Sequence, residues 1–236
     1  MASLTVPQFY QGPTGSGQGG WTAAKLVDII GHPATTALRA PIPLDTRLDV
    51  IELDTGGRQL VDPSTSTVVL EAEPWEPDFP TTAPVTLDAA RVARGRFPVS
   101  DLEHPVPMCF SCGLGPDTMH VHAGPLGDGR FATDWRVPDW ACRADGTVDE
   151  AVLWAAIDCT AAWYVCYEGE RRTAFTVQFA TEVLAPLEAG ATYALVGWAG
   201  DWEGGWHGRK RGAASAAFDT DGVCVAHARS FWVSVS

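Results

Sequence analysis

A chain of 236 residues, 46% of them hydrophobic, can bury a sizeable core, which excludes a disordered chain. A formal net charge of −13 argues against nucleic acid or an anionic membrane surface as partner, because binding to phosphate polymers needs a basic footprint. No run reaches the ~18 apolar residues of a membrane helix. The first residues, MASLTVPQFY, lack the basic and apolar regions of a signal peptide. The six cysteines are therefore expected to be reduced thiols in a cytoplasmic protein.

In chain order, the Gly-rich turn GPTGSGQGG (12–20) leads into a helical segment, WTAAKLVDII, which Gly31 and Pro33 end. Strand-like runs follow: TTALRAPIPL, RLDVIELD, GGRQLV and STVVLEAEP, with a hairpin turn at Asp54-Thr55-Gly56-Gly57. Seven of the 17 prolines fall between 74 and 107, so this stretch reads as a connection, with a short helix at Leu87–Arg94 inside it. MHVHA and RFATDWRV read as strands, and Asp149–Tyr167 as a long helix. Four more strands follow, in TAFTVQFATEVLAPL, TYALVGWAG, KRGAASAAFD and VCVAHARSFWVSV. The chain thus repeats one order of elements, an apolar helix followed by long strands. A helix apolar on most sides must be wrapped by a sheet. Two halves are expected, 1–98 and 99–236.

Four kinds of residue carry candidate chemistry. Asp158 lies on the second helix among Ala151, Trp154, Ala155, Ala161, Ala162 and Val165, all apolar, so burial should raise its pKa toward the range of a base working near neutral pH. Arg209-Lys210-Arg211 is the densest basic cluster, suited to phosphates or to a solvated surface. Trp198, Trp202 and Trp206 punctuate the loop GWAGDWEGGWHG and suit either a ligand wall or packing. Cys109 and Cys112 have zinc spacing, with His120 or His122 available on one face of MHVHA. No second such pair follows, so the expectation is two structural thiols and no metal. His104 and His227 belong to no recognisable motif in the sequence. No Gly-x-Ser-x-Gly elbow is present. The glycines at 15, 17 and 20 match a dinucleotide fingerprint by letters, but no strand precedes them.

Two segments resemble hot-dog proteins, in which a sheet wraps one central helix. FYQGPTGSGQGGWTAAK (9–25) is similar to the Gly-Gly entry to that helix in acyl-CoA thioesterase-like proteins. EAVLWAAIDCTAAWYV (150–165) is similar to the helix of phenylacetate-pathway-type thioesterases. Their pattern is His-Gly-Gly, with an acid at the ninth position counted from the first glycine. Glu150 to Asp158 spans the same nine positions. The last strands, from Gly208-Arg209-Lys210 onward, resemble the family's as well. The chain departs from the pattern in both halves. Gln18-Gly19-Gly20 stands in the first half, where position 27 is Val. Asp149-Glu150-Ala151 stands in the second half, which keeps the acid.

The resemblance implies an α+β double hot-dog, with two antiparallel sheets that join edge to edge and each wrap a helix, near 19–31 and 149–167. It implies one composite thioesterase site. Asp158 would be base or nucleophile, Gly19 and Gly20 would polarise the thioester carbonyl, and Gln18 would orient substrate or water. Trp21, Trp154, Trp202, Arg209 and Lys210 would hold the substrate, an acyl-CoA or acyl carrier thioester. No cofactor is expected, and the resemblance leaves room for a homodimer. A hydratase or dehydratase of the same fold is the first rival, although no histidine lies on either helix. A non-catalytic acyl-thioester-binding protein is the second.

Overall fold

The computed structural model describes residues 2–76, 78–100, 103–200 and 205–235. Among the described residues there are eleven strands and three α-helices. They are β1 (Ser3–Thr5), α1 (Gly19–Ile30), β2 (Ala34–Leu38), β3 (Arg47–Glu52), β4 (Arg58–Asp62), β5 (Thr67–Pro74), α2 (Leu87–Arg94), β6 (Gly124–Pro125), β7 (Phe131–Arg136), α3 (Ala151–Tyr167), β8 (Ala174–Val183), β9 (Thr192–Ala199), β10 (Lys210–Phe218) and β11 (Cys224–Ser234).

Local chemistry sets the helix ends. The Gln18 side chain accepts a hydrogen bond from the Trp21 amide and so caps α1, which stops at Gly31 in the left-handed conformation that glycine adopts without cost. At the start of α3 the capping oxygen comes from Asp149, whose Oδ1 accepts the Ala151 amide at 3.1 Å. Fifteen of the 17 residues of α3 are buried, as its predominantly apolar sequence requires.

The strands form one continuous sheet in the order β1-β3-β4-β5-β2-β8-β11-β10-β9-β7-β6, with every neighbouring pair antiparallel. Two sheets joined edge to edge were expected, and the described strands form one. They are fused because β2 and β8 pair through Thr36↔Phe179 and Ala37↔Gln178, and the Thr36 hydroxyl donates to the Phe179 carbonyl at 2.7 Å. Edge-to-edge pairing satisfies backbone groups that two separate edges would leave open. Helix α1 packs on β2, β4, β5 and β8, helix α3 packs on β7 to β11, and the two helices pack on each other.

Helix α2 lies on the opposite face of the sheet. Ala90 and Ala93 meet Ala132, Ala194, Val196, Ala214, Ala216 and Phe218 there, forming a second, smaller core. Strand β10 is consequently buried on both faces, which explains its run of small residues, GAASAA.

One expected strand is not formed. MHVHA (119–123) runs as irregular chain, and His120 has a positive φ of 50°. Its backbone pairs locally with the cysteine loop instead. The Met119 amide donates to the Phe110 carbonyl and the Val121 amide to the Ser111 carbonyl.

Candidate active site

A cavity of about 390 Å³ opens where the start of α1, the middle of α3, the loop around Cys109 and the ends of β2, β8 and β11 meet. Ile42, Val106, Trp163, Phe175 and Trp232 make most of its wall apolar. Gln18, Gly19 and Asp158 face it from the two helices.

Asp158 is buried, and each of its carboxylate oxygens has a side-chain donor. Gln18 Nε2 donates to Oδ2 at 2.7 Å, and the Thr176 hydroxyl donates to Oδ1 at 2.7 Å. Loss of solvent pushes its pKa up to about 7, although hydrogen bonds from Thr176, Gln18 and the Gly20 amide pull the other way. The orientation of Gln18 follows from capping. Its Oε1 must face the Trp21 amide, at 2.6 Å, so its NH₂ must face the carboxylate. A side chain at the mouth of one helix is thereby tied to an acid 140 residues away on the other.

The first amides of α1 divide into several roles. Gln18 takes those of Trp21 and Thr22, through its side chain and its carbonyl, and Gly20's amide faces Asp158. Gly19 borders the cavity. Gly20 serves the contact between the helices, because a Cβ there would come within 2.8 Å of the Trp154 carbonyl oxygen and 2.9 Å of the Asp158 Cβ.

The expected substrate-binding residues divide differently. Trp21 is buried and stacks on Tyr10 with ring centroids 4.0 Å apart. Trp154 meets Phe179 edge-on at 5.8 Å. Neither lines this cavity. Arg209 and Lys210 are exposed at the start of β10, also away from its lining, and Arg209 donates to the Ser234 carbonyl. Arg211 is buried and closes the end of α3, donating to the Val165 and Glu168 carbonyls at 2.7 and 2.9 Å. Trp206 packs beneath the guanidinium of Arg172, and Trp198 belongs to the outer core. Trp202 lies outside the described residues.

Sequence reasoning missed two features. Thr176 sits in a strand run that gives no local signal of its contact with Asp158. Cys159, adjacent to Asp158, joins Cys109 and Cys112 on the cavity wall, and the three sulfurs lie within 4.8 Å of one another. The spacing of Cys109 and Cys112 was the visible part of that group. No histidine lines the cavity among the described residues.

Neither a family model nor any curated protein matches this sequence. Solved structures do match it. A candidate thioesterase from Novosphingobium aromaticivorans aligns over 99% of this chain and 95% of its own, with a TM-score of 0.61 and 12% identity. The PaaI protein from the phenylacetic acid degradation operon of E. coli covers 46% of this chain and 74% of its own, with a TM-score of 0.41 and 14% identity. An acyl-CoA hydrolase from Staphylococcus aureus, in complex with butyryl coenzyme A, covers 46% of this chain and 65% of its own, with a TM-score of 0.40 and 14% identity. No helix among the described residues is long and apolar enough to cross a membrane.

Proposed function

We propose that this chain, which has the hot-dog fold of thioesterase-like proteins, is a thioester hydrolase with a single composite site built between two hot-dog units, 1–98 and 99–236. The observation that carries the reading is the Gln18–Asp158 hydrogen bond at the wall of an apolar cavity. It joins a helix entry from one unit to a carboxylate from the other.

Thioester hydrolysis needs an activated water or a carboxylate nucleophile, and donors for the oxyanion. Asp158 supplies the first, taking a proton from water as it adds to the carbonyl carbon, or attacking that carbon itself. The start of α1 supplies the second. Of its first amides, those of Gly20, Trp21 and Thr22 are already engaged, which leaves the Gly19 amide as the donor; the helix dipole favours negative charge there, and Gly19 presents no side chain to the cavity. On the base route, collapse of the tetrahedral adduct breaks the C–S bond and the thiolate leaves with the proton that Asp158 took from water. On the nucleophile route, the thiolate leaves an Asp158–acyl anhydride, which water opens to the free acid and Asp158, its proton going to the thiolate. Gln18 acts as a positioning residue, holding the carboxylate by its NH₂ where the expected family pattern has histidine. The apolar wall suits the acyl chain. The substrate is a thioester of coenzyme A or of an acyl carrier protein.

The test is a panel of acyl thioesters assayed by release of free thiol. Asp158→Asn keeps the shape of the side chain and removes its charge. Hydrolysis should fall by roughly two orders of magnitude or more, while the melting temperature stays and the thioester still binds. An Asp158→Asn protein with full activity overturns the assignment. Wild type that binds thioesters without turnover assigns the cavity to binding alone.

A further inference from the structure

The cavity wall carries a group of side chains that hydrolysis does not use. Cys109, Cys112 and Cys159 are buried and all three border the cavity. Their sulfurs lie within 4.8 Å of one another, and Cys109 and Cys159 are 4.0 Å apart. A tetrahedral zinc ion with Zn–S bonds of about 2.3 Å holds its sulfurs about 3.8 Å apart. We propose that Cys109, Cys112 and Cys159 form a three-thiolate zinc site whose fourth position opens on the cavity.

The loop that supplies two of the ligands is shaped for the task. The Gly113 amide donates to the Cys109 carbonyl at 2.7 Å, which folds the loop back on itself. Only glycine allows this, since a Cβ at 113 would come within 2.4 Å of the Cys109 carbonyl oxygen. The loop is held from several sides. Phe110's amide donates to the Gln11 carbonyl at 2.9 Å, and the Ser111 hydroxyl donates to the Ala155 carbonyl at 3.0 Å. The rings of His104 and His122 bond the Cys112 carbonyl at 2.7 and 3.1 Å. Ligands fixed in this way lose little freedom when an ion binds.

The third ligand is the one the spacing could not reveal. Cys159 comes from α3, 50 residues beyond Cys109. Sulfur-only donors select soft or borderline ions, and zinc is the common four-coordinate choice. Three thiolates and one divalent ion leave one net negative charge. Gln18 Nε2, 3.9 Å from the Cys159 sulfur, offsets part of it. Asp158 is the chain neighbour of Cys159, but only the three sulfurs group within 4.8 Å of one another, so it is not counted as a ligand. Water, or the sulfur of a thiol entering the cavity, completes the tetrahedron.

The test reads metal, not activity, so it stands or falls separately from the proposed hydrolysis. Reduced wild type purified without chelator should carry about one zinc per chain. Zinc-free protein titrated with Co²⁺ should develop an intense near-ultraviolet sulfur-to-cobalt band. Cys112→Ser and Cys159→Ser should lose the zinc and the band. Cys142→Ser, which alters a cysteine outside the cavity lining, should keep both. Should a thiol variant fail to fold, wild type alone decides. Folded, reduced wild type that takes up neither zinc nor cobalt overturns the site. So does a zinc content that Cys159→Ser leaves intact.

Discussion

At the start of α1, Gln18 and Gly19 face a carboxylate from the middle of α3. At the start of α3, Asp149 and Glu150 share a cleft of about 750 Å³ with Val27 from the later half of α1. The first place combines a cap, a cavity and a buried acid. The second puts acids at the helix entry and an aliphatic side chain where the acid would be needed. Lys25 then ties Asp149 down at 2.5 Å. Burial alone would raise the pKa of Asp149, but Lys25, the Ala151 amide and Arg143 outweigh it and hold the group below its ordinary value. Partial loss of solvent, with the nearby charges of Asp28 and Asp149, shifts Glu150 upward although the residue stays exposed. The contrast shows that a helix entry alone is not a site. A helix dipole can favour an oxyanion only where the neighbouring side chains leave it unpaired and the acid stands opposite.

The largest test of this contrast is activity. Asp158→Asn should cost roughly 100-fold or more in hydrolysis, whereas Glu150→Gln, at the other entry, should leave the rate unchanged. Equal losses in the free-thiol assay would mean that both clefts turn over. The next test is stability. Gln18→Ala removes a cap worth about 1 kcal/mol and leaves the buried Asp158 short of a donor, a further ~1–3 kcal/mol. Glu150 is exposed and makes no capping bond, so Glu150→Ala should stay within about 0.5 kcal/mol. Urea melts of the two variants check both figures.

Gly20→Ala probes the close approach of the helices. Alanine gains up to about 1 kcal/mol in helix propensity. The atom it would strike at 2.8 Å belongs to the backbone of α3, which cannot swing aside. Overpacking of about 1–3 kcal/mol should therefore win, lowering the melting temperature by several degrees. An unchanged or higher melting temperature would show that the helices can separate freely.

Lys25→Met should have the smallest effect. The pair with Asp149 is about one-fifth exposed on each side, so its loss should cost no more than about 1 kcal/mol. The pH dependence has a definite sign. Asp149 has a lowered folded-state pKa, so the pair's contribution is present above the ordinary aspartate value of 3.8 and is lost as pH falls through the lower folded value. The difference between wild type and Lys25→Met in urea melts should thus be measurable at pH 7 and should vanish in strong acid.

What the sequence determined by itself was local. The two apolar helices, nearly every strand and the acid at 158 were legible because periodicity, caps and turn residues act within a few positions. The glycine at 31 ends α1 as its chemistry requires, and an acid inside an all-apolar helix announces its own burial. What only the tertiary structure decided depends on distant segments. The β2–β8 pairing made two sheets into one. Thr176 reached Asp158 from a strand that carries no local signal of it. MHVHA lost its strand to the cysteine loop, whose carbonyls offered its amides nearer partners. Gly20 proved to be shaped by the facing helix rather than by the cavity. The third thiol reached the Cys109–Cys112 loop only once α3 lay beside it, because ligand geometry is set by which chains the core brings together, not by spacing along one of them.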